Sequence, residues 1–205
     1  VRINSEVTSI NRDSKSVHVV TKYGQEYDES YDNLVIATGS SPVRPAISGI
    51  DSPKVKTLWT VPDTDEIKKY IKENSVKSAT VIGGGFIGLE MAENLHGLGI
   101  DVTIVEASNQ VMAPVDYEMA LLLNENIRDN GVKLIVNDGV DSFEDTSEGI
   151  KVKLSSGKTV LSELVILSIG VKPNSKLAAD AGLALYEKGG IIVDSHMRTE
   201  DESIY

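Results

Sequence analysis

The residues of this chain with the most informative spacing are three glycines and an acid in its middle: Gly83, Gly85, Gly88 and Glu106. Gly83 permits a tight turn, Gly85 lets a backbone approach a pyrophosphate closely, and Gly88 allows a helix to pack against a strand. The helix N-terminus behind such a turn offers free N–H groups and a partial positive charge to phosphates. Glu106 follows Gly88 by 18 residues, where a carboxylate can accept both hydroxyls of an adenosine ribose. The four residues therefore predict a dinucleotide site.

The stretch Val81–Glu106 also supplies the elements that must position these residues. The apolar run Ala79–Ile82 predicts a strand that enters the glycines, a helical pattern follows, and Val102–Val105 predicts a second strand that ends at Glu106. No Arg or Lys occurs between Glu106 and Tyr117. A 2′-phosphate would meet a carboxylate without a basic partner, so the sequence favours NADH over NADPH.

Some side chains near this motif are open to a functional and a structural interpretation. Phe86 follows the third glycine of Gly83–Gly85 directly, and the residues alone fit core packing as well as a cofactor contact. Glu90 fits either a helix-surface acid or a site residue. His96 and His196 have no nucleophile paired with them, which favours surface or packing roles over catalysis. We expect Trp59 to be a packing anchor at a domain junction.

Composition excludes several other functions. The 205 residues are 40% hydrophobic and 25% charged, as in soluble globular proteins. A net charge of −11 argues against nucleic-acid binding and against anionic membranes. No run approaches the about 18 apolar residues of a membrane span, and Val1–Glu6 shows no signal-peptide pattern, so a cytoplasmic location is expected. The chain has no cysteine and no metal-binding motif, which predicts no thiol chemistry and no metal within these residues.

Before the glycine motif, alternation of apolar and polar residues predicts strands at Glu6–Ile10 and Ser16–Thr21. Asp32–Ala37 is a short apolar run that predicts a buried parallel strand. Four prolines, from Pro42 to Pro62, indicate a linker-like stretch. Asp63–Glu73 predicts a helix.

In the helix predicted at Asp63–Glu73, Asp63 and Glu66 would form a capping box, and the apolar stripe would consist of Ile67, Tyr70 and Ile71.

After the motif, Asp116–Arg128 predicts a second helix, with Asp116 as N-cap and Gly131 just beyond its end. One apolar face is expected from Met119, Leu122, Leu123 and Ile127. The remaining apolar runs predict further strands. They are Val132–Val136, two or three antiparallel strands within Gly139–Thr159 with a Ser156-Gly157 hairpin turn, a buried strand at Glu163–Ile169, and strand-like segments at Ile191–Val193 and Thr199–Tyr205.

Three motifs taken together resemble a known family. ATGSSPVRP at 37–45, VIGGGFIGLE at 81–90 and SIGVKPN at 168–174 are similar to motifs of the pyridine nucleotide-disulfide oxidoreductases. The likeness is closest to the branch of NADH oxidase, NADH peroxidase and coenzyme A-disulfide or persulfide reductase. NQVMAPVDYEMA at 109–120 resembles the coenzyme A-disulfide reductases, including forms with a rhodanese domain.

The resemblance implies an α/β fold, with a Rossmann-like NADH-binding domain at 43–167 built from a parallel sheet with helices and a β-meander. It implies a remnant of an FAD-binding domain at 1–42 and a return segment into that domain at 168–205. The family's FAD fingerprint and redox-active cysteine have no counterpart here. The resemblance therefore implies no catalytic residue in this chain and no turnover by it alone.

The resemblance also assigns cofactor-binding roles. Phe86 matches an aromatic residue that covers the flavin until nicotinamide displaces it, Glu90 an acid near the nicotinamide carboxamide, and Gly170 a glycine at the nicotinamide side. Thr38 and Gly39 match the junction close to the flavin. The full set of expected cofactor contacts is Ile82, Gly83, Gly84, Gly85, Phe86, Ile87, Gly88, Glu90, Glu106, Gly170, Thr38 and Gly39.

The function so implied is the NADH-binding part of an FAD-dependent reductase of disulfides, persulfides, peroxide or oxygen. Its partners would be the dinucleotide and the rest of its own polypeptide, with a homodimer expected for the full-length protein. One alternative is a ferredoxin or rubredoxin reductase of the same flavin superfamily, which lacks the active cysteine. The other is a non-catalytic nucleotide-binding regulatory module.

Overall fold

The computed structural model describes all 205 residues and divides them into two compact units. The larger unit comprises Pro42–Val171. The smaller unit comprises Val1–Ser41 together with Lys172–Tyr205. No helix combines the length and the apolar character needed to cross a membrane.

The chain forms thirteen strands and four helices. The strands are β1 (Ser5–Asn11), β2 (Ser16–Thr21), β3 (Glu26–Ser30), β4 (Ser40–Pro42), β5 (Val55–Thr57), β6 (Ser78–Ile82), β7 (Asp101–Val105), β8 (Lys133–Ile135), β9 (Val140–Thr146), β10 (Gly149–Leu154), β11 (Thr159–Ser162), β12 (Leu164–Leu167) and β13 (Val171–Pro173). The helices are α1 (Val61–Asn74), α2 (Phe86–Gly97), α3 (Tyr117–Asp129) and α4 (Lys176–Asp180).

Five parallel strands form the central sheet of the larger unit, in the order β5-β12-β6-β7-β8. The strands expected at Ala79–Ile82, Val102–Val105, Val132–Val136 and Glu163–Ile169 are thereby confirmed as β6, β7, β8 and β12. Because all five run the same way, the loops after β5, β12, β6 and β7 meet at one edge of the sheet. That edge is where open α/β sheets bind ligands.

Both faces of this sheet are covered, which explains why its strands are almost wholly apolar. On one face, Val81 and Ile166 pack with Ile67 of α1 and with Leu95 of α2. On the other face, Ile82 and its neighbours pack against the antiparallel sheet β11-β10-β9. The predicted turn at Ser156-Gly157 is confirmed between β10 and β11, where Gly157 has φ +84° and donates its N–H to the carbonyl of Leu154 at 2.9 Å.

The start of α1 differs from the prediction. Thr60, not Asp63, is the N-cap, and the capping box joins Thr60 to Asp63, so Glu66 takes no part in it. The Asp63 carboxylate accepts the backbone N–H of Thr60 at 2.6 Å, which tethers the helix one turn earlier than expected. The predicted stripe is confirmed, with Ile67 buried.

Asp116 occupies the predicted N-cap position of α3, but its side chain accepts no hydrogen bond from the first turn. The predicted apolar face is wrong except for Ile127. Met119 and Leu122 are 57% and 59% exposed. The helix instead buries Ala120 and Asn124, with Ile127 packed one turn further on. Ala120 is completely buried, and its small side chain lets the helix backbone lie close to its neighbours.

The linker interpretation of Pro42–Pro62 is wrong over part of its length, because this stretch contains β5. Val55 is 4% exposed and pairs in parallel with Val165 of β12. Three residues are too few to show a strand pattern, and the partner strand lies far along the chain.

In the smaller unit, β1, β2 and β3 form an antiparallel sheet that confirms the predicted strands at Glu6–Ile10 and Ser16–Thr21. Its core includes Val17, Val19, Ala178 and Leu183. At the chain positions where the two units join, β4 and β13 form a two-stranded sheet.

Three segments of the smaller unit that were predicted to be strands or strand-like form no regular strand. Asp32–Ala37 makes only one parallel bridge, Leu34 with Ile204, and Val35 is 70% exposed. Ile191–Val193 and Thr199–Tyr205 likewise form isolated bridges and no strand. Each segment has a single backbone partner, and an apolar run becomes a buried strand only where neighbours cover both edges and faces.

Candidate dinucleotide-binding site

The turn between β6 and α2 can be formed only by glycine at its first position. Gly83 has φ +103°, and a Cβ there would lie 2.5 Å from the carbonyl oxygen of Ser168, in the loop after β12. Two backbone hydrogen bonds keep these loops close together. Ser168 donates its N–H to the Ile82 carbonyl, and Gly83 donates its N–H to the Val105 carbonyl, both at 2.8 Å. The turn is thus fixed against both adjacent strands.

Gly88 and Gly85 have opposite surroundings. A Cβ on Gly88 would lie 1.9 Å from the carbonyl oxygen of Gly83, so the first turn of α2 rests on the glycine loop itself. A Cβ on Gly85 would meet nothing within 4 Å. Gly85 is the N-cap of α2, no side chain caps this helix, and its first turn carries no acid. The positive end of the helix therefore faces open space, where phosphate oxygens can accept its N–H groups.

The Glu106 side chain is held in place by hydrogen bonds from the glycine turn and from the loop that follows β7. Its Oε2 accepts the N–H of Gly84 at 2.6 Å, and its Oε1 accepts the N–H of Ser108 at 2.7 Å and also the Ser108 hydroxyl. Burial alone would raise the pKa of Glu106, but the hydrogen bonds from Ser108 and Gly84 lower that pKa below its ordinary value. Glu106 is consequently a fixed carboxylate at the end of β7.

A cavity of about 740 Å³ lies at the loop edge of the parallel sheet, wholly within the larger unit. Small-molecule and cofactor sites have volumes of about 300–1,000 Å³. Most of the predicted site residues line this cavity: Ile82, Gly83, Gly84, Gly85, Phe86, Ile87, Glu106 and Gly170.

Four predicted residues lie elsewhere. Gly88 is buried beneath the turn, and Glu90 is exposed on α2 beyond the cavity lining. Thr38 and Gly39 belong to the smaller unit. There, Thr38 donates its hydroxyl to the Asn174 carbonyl at 2.6 Å, and Asn174 donates its N–H to the Gly39 carbonyl at 2.9 Å.

The side chains after the glycines are exposed. Phe86 is 66% exposed and Ile87 is 43% exposed, so Phe86 does not fill the core of this chain. A large aromatic side chain at the mouth of a cavity is available to a ligand or to another protein surface.

Sequence reasoning missed several residues of this site. Ser108 lines the cavity and binds Glu106; a serine two residues after a strand-end acid is a weak signal that could have found it. Trp59, predicted to be a packing anchor, is 45% exposed and lines the cavity from the loop after β5. Val111 is completely buried, and its Cγ1 would lie 2.7 Å from a Cβ on Gly84, so this second glycine is required for packing.

Known proteins share this architecture. The sequence profile of the pyridine nucleotide-disulphide oxidoreductases matches residues 1–205. The chain belongs to this family. The family membership and the sheet topology together confirm the predicted fold class, which is a Rossmann-like domain with a parallel sheet, helices and a β-meander.

Individual relatives agree with this assignment. The chain is 36% identical over its whole length to an NADH oxidase of Methanocaldococcus jannaschii, of which it covers 46%. The structure of reduced Bacillus anthracis CoADR-RHD is 46% identical, with a TM-score of 0.91, and aligns with 98% of this chain and 36% of that one. The NAD-dependent persulfide reductase of A. fulgidus is 39% identical, with a TM-score of 0.91, over 98% of this chain and 37% of that one. The chain thus spans less than half the length of these relatives.

Proposed function

We propose that the larger unit binds NADH and positions it for hydride transfer to FAD in a complete flavoenzyme. The observation that carries this proposal is the uncapped N-terminus of α2, which meets a 740 Å³ cavity and has a fixed carboxylate at the end of the next strand. Bound FAD supplies the electron-accepting chemistry, and the residues of this chain bind and orient the dinucleotide.

The pyrophosphate end of this proposal rests on the glycines. Gly83, Gly84 and Gly85 leave backbone at the floor of the cavity, and Gly88 keeps α2 in contact with the turn. The positive end of α2 then stabilises the phosphate charge without a basic side chain, which suits a chain of net charge −11. Ile82 and Ile87 border the same space.

At the adenosine end, Glu106 accepts the ribose hydroxyls. Its Oε1 already accepts two hydrogen bonds from Ser108, and its Oε2 accepts one from Gly84. One lone pair of Oε2 therefore remains for a ribose hydroxyl, and a second position opens on Oε1 when the Ser108 hydroxyl turns away. A 2′-phosphate would instead be repelled by this carboxylate, and no Lys or Arg lies between Glu106 and Tyr117. NADH is therefore the proposed ligand rather than NADPH.

At the nicotinamide end we assign contacts to Phe86, Glu90 and Gly170, supported by the family resemblance. Phe86 and Gly170 line the cavity, whereas Glu90 lies one turn further along α2. Thr38 and Gly39 of the smaller unit are proposed to lie near the flavin. We also propose the domain limits 1–42, 43–167 and 168–205; the compact units change over at Ser41–Pro42 and Val171–Lys172.

For the complete protein we propose a cytoplasmic, homodimeric NADH-dependent reductase of coenzyme A disulfide or persulfide type. The support is the 46% and 39% identity to CoADR-RHD and to the persulfide reductase. The cysteine that receives electrons from the flavin would lie outside these residues, since the chain has none.

Calorimetric titration of the chain with NADH and NADPH tests the cofactor assignment. NADH should bind more tightly than NADPH, and Glu106→Ala should weaken NADH by about 10- to 100-fold because a charged hydrogen-bond acceptor is lost. The matched control is Glu125→Ala, an exposed acid on α3, which should leave both affinities unchanged. Tighter binding of NADPH by the unsubstituted chain, or no loss with Glu106→Ala, would contradict the proposal.

A further inference from the structure

The strand order dictates where the nicotinamide half of a dinucleotide must lie. The pyrophosphate belongs at the turn after β6, and the adenosine belongs on the β7 side, where Glu106 ends its strand. The other half of the ligand can then extend only over the loops after β12 and β5, on the opposite side of β6. This inference rests on the proposed NADH function.

The loop after β5 brings one large aromatic side chain to that side. Trp59 is the only tryptophan of the chain, it lines the cavity, and it is 45% exposed. The loop after β12 contributes Ile169 and Gly170 to the same lining. An exposed indole at the mouth of a cavity, on the side left open for a flat heteroaromatic ring, is poorly explained as core packing.

The backbone of Trp59 is fixed in position. The Asp63 carboxylate accepts the N–H of Trp59 at 3.0 Å and the N–H of Thr60 at 2.6 Å. These hydrogen bonds lower the pKa of Asp63, with the bonds from Thr60 having the largest effect, so the carboxylate stays ionised at neutral pH. The loop is therefore anchored to the first turn of α1, and a ligand would not have to order it.

We propose that Trp59 forms the aromatic wall of the nicotinamide subsite and packs against the nicotinamide ring. Stacking on an aromatic side chain does not depend on hydrogen bonds from the ring, and an indole face also attracts a cation. The oxidised ring of NAD⁺ carries a positive charge, whereas the ring of NADH does not. Trp59 accordingly stabilises both forms and favours the oxidised one.

The test measures the nicotinamide part of the affinity separately from the rest. ADP-ribose, NADH and NAD⁺ are titrated calorimetrically into the 205-residue chain and its variants. Trp59→Ala should weaken NADH and NAD⁺ by about tenfold, the typical effect of losing one stacked aromatic ring, with the larger loss for NAD⁺. ADP-ribose, which lacks the nicotinamide, should bind as before, and this unchanged affinity also shows that the variant is folded.

Two further variants serve as controls. Trp59→Phe keeps a stacking surface and should recover most of the lost affinity. Tyr117→Ala removes an aromatic residue of the same unit that is similarly exposed, at 46%, but does not line the cavity, so it should change none of the three affinities.

Fluorescence gives a second readout, because all indole emission comes from Trp59. NAD⁺ should quench this emission on binding, whereas ADP-ribose should not. Equal losses for all three ligands in Trp59→Ala would show a structural role and overturn the inference, as would unchanged affinities. If the unsubstituted chain binds neither ADP-ribose nor NADH, the proposed function itself fails. If the unsubstituted chain binds these ligands but Trp59→Ala changes the affinities for ADP-ribose, NADH and NAD⁺ equally, only the role of Trp59 fails.

Discussion

The two ends of the cavity differ in whether their side chains are already held by hydrogen bonds within the chain. At the β7 end, Glu106 is partly buried and accepts hydrogen bonds from Gly84 and Ser108. At the β12 end, Phe86, Ile169 and Gly170 are exposed. The first end is preorganised by hydrogen bonds that form on folding, whereas the second presents exposed apolar side chains.

This difference separates affinity from positioning. A fixed carboxylate and an uncapped helix end can bind every ligand that carries adenosine and pyrophosphate, and they bind each of them in the same way. An exposed apolar surface can instead contact a nicotinamide ring and, in a complete enzyme, a further surface. Substitutions at the two ends should therefore affect folding and ligand binding to different degrees.

The largest effect is expected between the two ends, at Gly88. Gly88→Ala places a methyl group against the Gly83 carbonyl, where a Cβ would lie 1.9 Å away, and neither backbone can move freely. We expect the free energy of unfolding to fall by about 2–3 kcal/mol, as in overpacked cores, together with loss of NADH binding at both ends. Thermal unfolding and calorimetry measure the two effects.

Gly85→Ala is the matched control, because its added methyl group meets no atom within 4 Å. It should leave unfolding nearly unchanged while it weakens NADH, since it enters the space assigned to phosphate. Equal destabilisation by both substitutions would show that the open surroundings of Gly85 do not persist in solution.

A smaller effect is expected at the preorganised end, from Ser108→Ala. Burial raises the pKa of Glu106, but the hydrogen bonds from Ser108, Gly84 and Ala107 together outweigh it, so the pKa is lower in the folded chain than in the unfolded one. A lowered pKa stabilises the fold fully above the ordinary glutamate pKa, and this stabilisation is lost as the pH falls through the lowered value. Removing the Ser108 hydroxyl should raise that pKa, shift the loss to higher pH, and cost about 1 kcal/mol at neutral pH.

Denaturant unfolding between neutral and acidic pH measures this shift. Ser147→Ala, at an exposed serine of the β9–β10 turn, should show the pH profile of the unsubstituted chain. A profile for Ser108→Ala that coincides with both would mean that Ser108 does not control the ionisation of Glu106.

The smallest effect on folding is expected at the exposed end, from Phe86→Ala. Because Phe86 is 66% exposed, its truncation should change the free energy of unfolding by less than about 0.5 kcal/mol. ADP-ribose affinity should also remain, since Phe86 is assigned to the nicotinamide end. Leu95→Ala, on the same helix but 2% exposed, should cost about 2–5 kcal/mol. A comparable loss for Phe86→Ala in chemical denaturation would place Phe86 in the core.

The sequence by itself determined the centre of the site. Strand β6, the glycine turn, helix α2, strand β7 and Glu106 are contiguous, and their conformations depend on local properties, namely glycine φ angles, apolar periodicity and the N-terminus of a helix. The antiparallel meander and its Gly157 turn were predictable for the same reason.

Only the tertiary structure decided which surfaces face one another. The three-residue strand β5 exists because β12, more than a hundred residues later, pairs with it. Helix α3 buries Ala120 and Asn124 instead of its larger apolar residues, since close packing of the backbone selects the face, not hydrophobicity alone. Trp59 reaches the cavity because strand order places the loop after β5 at the same edge as the glycine turn, a relation between distant segments that no local pattern contains.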